Sequence, residues 1–418
     1  MRGSFRLWPQ SLAFCTIWIL YILLHSGETV TDTLMASTLV PNLAQGHGID
    51  LSKALLGSDL LRDQPAYYVM LSSYGLVGIY PVGMVLLAAP LQAALWLLAY
   101  LMGLEVSVDS PYFTPTRFII EKISASFLVA LTGISVYQSL RLLVPRAYAA
   151  ALSFVYIFGS GALSLLAQGL WQQTGINLLC VLLLHFLLMR DQPVTKRNEA
   201  AFFGALGFLF SIRPTTVVWG IFFGLSFWRL FGRPSWIAVA SACTGILPGL
   251  VWNLSLFGEP LGGYAVTSAP VLNAEPIACA ERVWRILFGG HKGLLVLNPL
   301  LAGLFLAPLA LPALDQRYRT VLAPLLVSIL CNLLLCSTNP SWHGGRGFGP
   351  RYMLDGLGIA FVLSGVGIAN AAKHLPRVAA GLVGIAGAYS IVLNLVGAIG
   401  SRLRGPWLVE LHQRMLLP

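Results

Sequence analysis

The chain has 418 residues, 57% of them hydrophobic and 10% charged, with a formal charge of +10 and a mean hydropathy of +0.77. Soluble domains carry about 25% charged residues, so this composition excludes a water-soluble enzyme, and the chain is too apolar and aromatic to be disordered. The basic residues never gather beyond pairs such as Lys196-Arg197, which argues against a nucleic-acid surface, and the six cysteines lie mostly inside apolar runs with neither disulfide nor zinc spacing.

The predicted elements are helices that cross a membrane. A spanning helix needs roughly 20 predominantly apolar residues. Met1–Gln10 carries Arg2 and Arg6, and the apolar run Ser11–Leu24 follows; with no small-x-small cleavage site before His25 it reads as an uncleaved first span. Further spans are expected at 117–140, 147–166, 174–189, 198–212, 214–229, 234–256, 293–313, 320–337, 352–371 and 378–399, about eleven in all. The fold class is all-α and polytopic, a single domain over 1–418.

Lysine and arginine orient these spans. With the N-terminus inside, cytoplasmic segments hold Arg2, Arg6, Arg141, Arg146, Arg190, Lys196, Arg197, Arg229, Arg233, Arg317, Arg319, Lys373 and Arg377, against the acids Asp191, Glu199 and Asp315. That imbalance accounts for the whole +10, so the net charge is a topology signal. Both flanks of 198–229 are basic, so the segment crosses an even number of times. Arg213-Pro214 divides it into two short halves, because proline lacks a backbone donor and disfavours helix just before it. The hairpin tip is expected slightly below the outer interface, with Arg213 facing protein or a wet cavity. Tyr74–Gly103 is apolar enough to span, but parity allows zero or two crossings there. Pro81 and Pro90 divide it, which favours a juxtamembrane or re-entrant outer segment.

The outer loops hold the candidate chemistry. The first, about 25–73, carries Glu28, Asp32, Asp50, Asp59 and Asp63, and its stripe Leu51, Ala54, Leu55, Leu60 and Leu61 suggests a helix along the membrane surface. Glu28-x-x-x-Asp32 follows the first span directly; continued helix would put both acids on one face, where a carboxylate serves as general base toward a hydroxyl. Two solvated acids, or an N-cap by Asp32, is the plainer alternative. Two more outer loops are expected at about 258–293 and 337–351. The last leads into Trp342-His343-Gly344-Gly345-Arg346-Gly347-Phe348-Gly349-Pro350-Arg351-Tyr352, in which glycine backbone and two arginines suit a phosphate, or else form a head-group-anchored turn. Gly289-Gly290-His291-Lys292-Gly293 is a second basic, glycine-rich turn. Gln168, Trp171, Gln172 and Gln173 cluster between two spans, where amides and an indole suit sugar hydroxyls or an aromatic belt. An arginine at membrane depth is expensive and usually functional, which singles out Arg213. The scattered histidines His25, His47 and His343 suggest no metal site, and no Asp-x-Asp, His-Glu-x-x-His or Gly-x-Ser-x-Gly occurs.

These segments, in this order, resemble the GT-C superfamily of integral-membrane glycosyltransferases, particularly bacterial enzymes using polyprenyl-phosphate-linked sugars. The resemblance is carried by Glu28-Thr-Val-Thr-Asp32-Thr with Pro41 and Gly48-Ile-Asp50-Leu, Tyr80-Pro81-x-Gly83 with Ala89-Pro90, Leu170-Trp171-Gln172-Gln173, Arg213-Pro214-Thr215, Lys292-Gly293-Leu294 with Asn298-Pro299, and Gly344–Tyr352. It implies a multi-span module with an outward-facing site beneath surface helices of the first loop. The short loops and the lack of targeting elements fit a bacterial plasma membrane, with an internal eukaryotic membrane as the alternative. Asp32 is implied as catalytic base, with Glu28 beside it. Arg213, Arg346, Arg351 and Lys292 are the expected donor-phosphate residues, and Trp171, Gln172, His343 and Tyr352 the expected substrate contacts. The partners implied are a polyprenyl-phosphate sugar and a lipid, glycan or protein acceptor within membrane lipid, with no nucleic acid. No cofactor is called for and a divalent metal is left open. Val82 replaces a second proline common in relatives, and Gln172/Gln173 stand where some carry an acid, which questions a two-acid mechanism. A polyprenyl-linked polymerase or ligase and a lipid or solute transporter are the competing readings. A transporter predicts paired broken helices and acids inside spans, whereas the acids here lie mainly in loops or near span ends.

Overall fold

The computed structural model describes residues 8–24, 33–56, 69–110, 112–189, 194–267, 275–290, 292–342 and 348–399. Glu28, Asp32, Asp59, Asp63, His343 and Arg346 lie outside the described residues. Among the described residues, eight helices are long and apolar enough to cross a membrane, and the protein is a helical, polytopic membrane protein. After α1 (Trp8–Leu23) come α2 (Leu34–Ala44), α3 (Ser52–Leu56), the hairpin β1 (Val69–Ser72) and β2 (Gly75–Gly78), and α4 (Gly83–Leu101). The bundle continues with α5 (Phe113–Leu143), α6 (Arg146–Phe158), α7 (Gly161–Ser164), α8 (Gln172–Met189), α9 (Lys196–Ile212), α10 (Val217–Phe231) and α11 (Trp236–Phe257). It closes with α12 (Gly263–Thr267), α13 (Pro276–Phe288), α14 (Leu294–Leu297), α15 (Ala307–Ala310), α16 (Gln316–Thr338), α17 (Leu357–Ala372) and α18 (Pro376–Ile399).

Burial sorts these helices into centre and rim. In the most apolar 18 residues of Arg351–Ala372, which contains α17, 89% are buried, against 17% in the corresponding stretch of Trp236–Phe257. The first is a central strut packed by protein; the second presents most of its apolar surface outward, as a lipid-facing helix must. α11 is held to α9 by a seam of small residues. A Cβ at Gly207 would overlap the Ala242 carbonyl, and one at Gly245 would overlap the Gly204 carbonyl. Such close backbone approach gives apolar helices their packing attraction where lipid competes for every other contact. Pro248 interrupts the α11 ladder, and Ser211 of α9 fits there: its hydroxyl bonds the carbonyls of Gly245 (2.7 Å) and Ile246 (3.1 Å) and accepts the Gly249 N–H (2.9 Å). A neighbouring hydroxyl thus satisfies backbone groups disturbed by the proline.

α9 stops at Ile212, and a short 3-10 turn over Pro214–Thr216 leads into α10, so the 198–229 segment is two short helices divided at Arg213-Pro214 as expected. The 293–313 segment differs from a single span. It is divided into α14, a 3-10 stretch Pro299–Phe305, α15 and a final 3-10 turn. Pro299, Pro308 and Pro312 remove the donors a continuous helix would use, a break that hydropathy alone does not register.

α4 resolves the 74–103 segment. Gly83 packs against the backbone of Ser211 and Ile212, and Met84 and Leu87 face Gly175 in the first turn of α8. At the other terminus Trp96 stacks on Phe113 at 5.4 Å and shares a small cluster with Ala54, Ala99, Val108 and Ile120. Both termini therefore meet the same end of the bundle, the end opposite the basic loops. α4 lies across that end, which is called the site end below. The hairpin before it is new relative to the sequence reading. An isolated two-stranded ribbon is marginal, but Asp50 accepts the Leu76 N–H at 3.0 Å together with Ser52 N–H and hydroxyl. Those bonds hold the Asp50 carboxyl below its usual value against the opposing effect of burial. Gly75, with φ +96°, leaves room for that carboxylate, so Asp50 is a structural acid.

Candidate active site

Three cations expected from the sequence to bind phosphate converge at the site end from distant parts of the chain. Arg213 sits between α9 and the Pro214–Thr216 turn in extended conformation (φ −161°), and the Thr216 hydroxyl fixes its carbonyl at 2.7 Å. Its side chain is buried, with Nη1 3.1 Å from Oδ2 of Asp355 and the guanidinium 4.8 Å from the Tyr352 ring centre. Arg351 begins the 3-10 turn Arg351–Gly356, where its guanidinium lies 4.6 Å over Trp171 and 5.3 Å from Tyr352. Lys292 is buried in the turn before α14, and its ammonium is held down to about 8, first by burial and then by the nearby charge of Arg351. The aromatic faces do what solvent would otherwise do for these guanidiniums, since a desolvated cation over a ring is worth about 2 kcal/mol.

Trp171, Gln172 and Tyr352 complete the expected set. Trp171 is 6% exposed, and its indole N–H is buried without a protein acceptor among the described residues. Gln172 is already engaged on both sides: its Nε2 donates to the Ile212 carbonyl at 2.9 Å, and its Oε1 accepts the Tyr264 hydroxyl at 2.5 Å. The Gln172 amide therefore ties the start of α8 to the hairpin tip and to α12, with one N–H left for a ligand. Tyr264, half-buried and 6.1 Å from the Tyr80 ring, has its hydroxyl pushed up to about 12, burial dominating over the opposing pull of Arg213 and Arg351.

Asp355 and Tyr264 were missed in the sequence. Asp355 is four residues after Arg351 and inside a predicted span, and an acid at that depth is a functional signal by itself. Tyr264 has no such signal. Gln168 was grouped with Trp171 and Gln172, but it points away into a separate buried network. Asp32 and Glu28, expected as catalytic acids, and His343 and Arg346 fall outside the described residues.

No family model matches the sequence, and no curated protein matches it. Among solved structures the chain is similar to the crystal structure of ArnT from Cupriavidus metallidurans bound to undecaprenyl phosphate. The two are 12% identical, the match covers 99% of this chain and 74% of that one, and the TM-score is 0.49.

The charge count at the site states what it can hold. Among the described residues, Arg213, Arg351 and Lys292 face a single carboxylate, Asp355. Arg213 and Lys292 are buried and Arg351 is half-buried, so an anion that enters is attracted in a medium of reduced dielectric. Arg213 Nε and Asp355 Oδ1 are both buried without hydrogen-bond partners in the protein. Unsatisfied groups of this kind are costly, and a ligand carrying both an acceptor oxygen and a hydroxyl would satisfy them. Among the described residues no group of three or more His, Cys, Asp or Glu side chains converges to hold a metal.

Proposed function

We propose that the protein is a membrane glycosyltransferase that moves a sugar from a polyprenyl-phosphate donor to an acceptor hydroxyl, with inversion, at the outer face of a bacterial plasma membrane. The observation that carries this reading is the convergence of buried Arg213 and Lys292 with half-buried Arg351 in one aromatic-lined cluster at the end of the bundle opposite the basic loops. A sugar on a lipid phosphate brings its own leaving group, so the reaction needs no nucleotide outside the cell. Asp32 takes the proton of the acceptor hydroxyl while its oxygen attacks the anomeric carbon. The bond from that carbon to the phosphate oxygen breaks, and the electron pair leaves with the phosphate.

The donor phosphodiester carries one negative charge, and the departing lipid phosphate gains a second as the bond breaks. A site with surplus positive charge favours the later state over the earlier one, which is the condition for lowering the barrier. Trp171 and Tyr352 keep water from the guanidiniums, and the indole N–H of Trp171, which has no protein acceptor among the described residues, donates to a ligand oxygen.

The test uses purified protein in detergent, with labelled polyprenyl-phosphate sugar and no second compartment. Transfer of label to an acceptor is expected, and Asp32→Asn should abolish it while product-lipid binding survives. Full transfer by Asp32→Asn sinks the base assignment. Absence of conversion by the wild type under any donor, with movement of donor across vesicles instead, would favour a transporter.

A further inference from the structure

Two buried charges on α5 are filled by the protein's own atoms. Lys122 directs its ammonium at the carbonyls of Leu24 (3.0 Å) and Ala167 (2.7 Å) and at Oε1 of Gln168 (3.0 Å). Glu121 beside it accepts the Leu170 N–H on Oε1 (3.0 Å) and pairs with Nη1 of Arg117 through Oε2 (3.3 Å). The Arg213–Asp355 pair is as deeply placed, yet Arg213 Nε and Asp355 Oδ1 have no protein partner among the described residues. The carboxylate is nonetheless held firmly. Its neighbours Leu354 and Gly356 pack against Gly161 and Trp219, and the Gly358 N–H donates to Asn177 Oδ1 at 2.9 Å. Asp355 is therefore fixed by its own turn, and its second oxygen is preorganised for a ligand.

The polar groups around the pair define what that ligand must offer. Arg213 Nε, the Trp171 indole N–H and one N–H of Gln172 are donors, which suit phosphate oxygens. Asp355 Oδ1 is the lone acceptor among these groups, so the ligand must also donate one hydrogen bond. A cationic donor is disfavoured beside Arg213, Arg351 and Lys292, which leaves a neutral O–H or N–H. Each unpartnered atom of the pair is two covalent bonds from an end of the 3.1 Å contact. The acceptor and the donor of the ligand must therefore be close neighbours.

We infer that Asp355 is a donor-specificity residue whose Oδ1 accepts a hydrogen bond from the substituent on the sugar carbon next to the anomeric phosphate, a hydroxyl in an unmodified sugar. The inference rests on the proposed function and narrows the class of sugar that the site takes. That carbon carries the hydroxyl nearest the phosphate, so one ligand reaches both Arg213 Nε and Asp355 Oδ1. The acceptor hydroxyl is the other source of such a hydrogen bond. With inversion it attacks from the face opposite the phosphate, whereas the Asp355 carboxylate is bonded through Oδ2 to Arg213, on the phosphate side.

The experiment measures binding to purified protein in detergent without acceptor, so that no bond breaks. The probes are polyprenyl phosphates carrying glucose, mannose or arabinose, the 2-deoxy counterpart of each, and polyprenyl phosphate alone. At least one parent sugar should bind about 10- to 100-fold more tightly than its 2-deoxy counterpart, the range for a hydrogen bond to a charged group. In Asp355→Leu that difference should shrink below about twofold, while bare polyprenyl phosphate binds at least as well as to wild type, because a negative charge has left the site. Asp355→Asn keeps the shape and puts an N–H group in place of Oδ1, so it gives the same readout if the leucine variant does not fold. A uniform loss for every probe overturns the inference, because it makes Asp355 a structural residue. Wild type that binds polyprenyl phosphate but treats parent and 2-deoxy sugars alike overturns it too, and a raised acceptor KM in Asp355→Leu would then give Oδ1 to the acceptor. Failure of wild type to bind any probe is a separate outcome, which sinks the proposed function and this inference with it.

Discussion

Arg213 and Asp355 are 142 residues apart in the chain and 3.1 Å apart in the fold. The pair joins the tip of the α9–α10 hairpin to the turn that opens α17, in the most buried of the eight candidate spans among the described residues, and both side chains are at least 90% buried. Only one bond links them, through Nη1 and Oδ2, so the pairing leaves Arg213 Nε and Asp355 Oδ1 for another partner. That arrangement is what an arginine needs if it is to stay compensated in an empty site and still reach a phosphate.

Breaking this pair on one side is expected to cost about 3–5 kcal/mol, since a buried charge loses its counter-ion. Arg213→Met and Asp355→Leu singly should each lower the melting temperature clearly. The double variant should recover most of that loss while remaining unable to bind a lipid phosphate. Thermal melts and a product-lipid binding assay separate the two effects. A double variant as unstable as the sum of the singles would show that the pair is not the source.

Trp171 carries the guanidinium of Arg351 on its face. Trp171→Ala should raise the donor KM by roughly tenfold, the equivalent of about 1.4 kcal/mol for a lost cation–π contact in a dry site. Trp171→Phe keeps a ring and should lose less. A donor KM unchanged in Trp171→Ala would remove the tryptophan from the phosphate site.

Under the proposed function, the Lys292 ammonium, held down to about 8 from 10.5 in water, should make donor binding pH-dependent. Below about 8 the folded protein carries this charge, which would attract a donor phosphate; as pH rises through that value the charge and its expected share of affinity are lost. Stability moves the other way. Between about 8 and 10.5 the unfolded chain binds the extra proton, so the Lys292 contribution to stability rises with pH in that window. Donor KM measured from pH 7 to 9.5 should climb for wild type and stay level for Lys292→Arg. A level wild-type profile is the outcome that contradicts this.

Helix contact along the α9–α11 seam gives the fourth test. Gly207→Ala would force a methyl group against the Ala242 carbonyl, and overpacking of this kind costs about 1–3 kcal/mol. Because Ser211 on the same seam braces the hairpin tip, transfer should weaken with stability. Gly220→Ala, which meets nothing within 4 Å, is the neutral control. Equal melting temperatures for the two would disprove the seam.

Much of this was legible in the sequence, for identifiable reasons. Arg213-Pro214 announced a divided hairpin because proline cannot continue a helix and arginine is expensive inside an apolar run. The candidates Arg351, Lys292, Trp171 and Tyr352 stood in turns rich in glycine or at span ends, and they do meet. Asp355 was passed over although it lay in a predicted span, and the Arg117–Glu121–Lys122 group was passed over at the start of another. Position inside a span was a sufficient signal for all four. Gln168 was misplaced beside Trp171 because it closes the 3-10 turn Leu166–Gln168, and the extended backbone at Gly169 then carries the chain away from it.

The sequence by itself determined that the chain lives in a membrane, where most of its long helices lie and which end of them is basic, because hydropathy and charge bias act residue by residue. Only the tertiary structure decided that α4 lies across the bundle, that Asp50 supports a hairpin, and that Arg213 shares its charge with Asp355. Those outcomes depend on which surfaces meet. An apolar helix gains as much from lying on a protein surface as from crossing lipid, and a buried charge is tolerable only where the fold brings its partner within hydrogen-bonding distance.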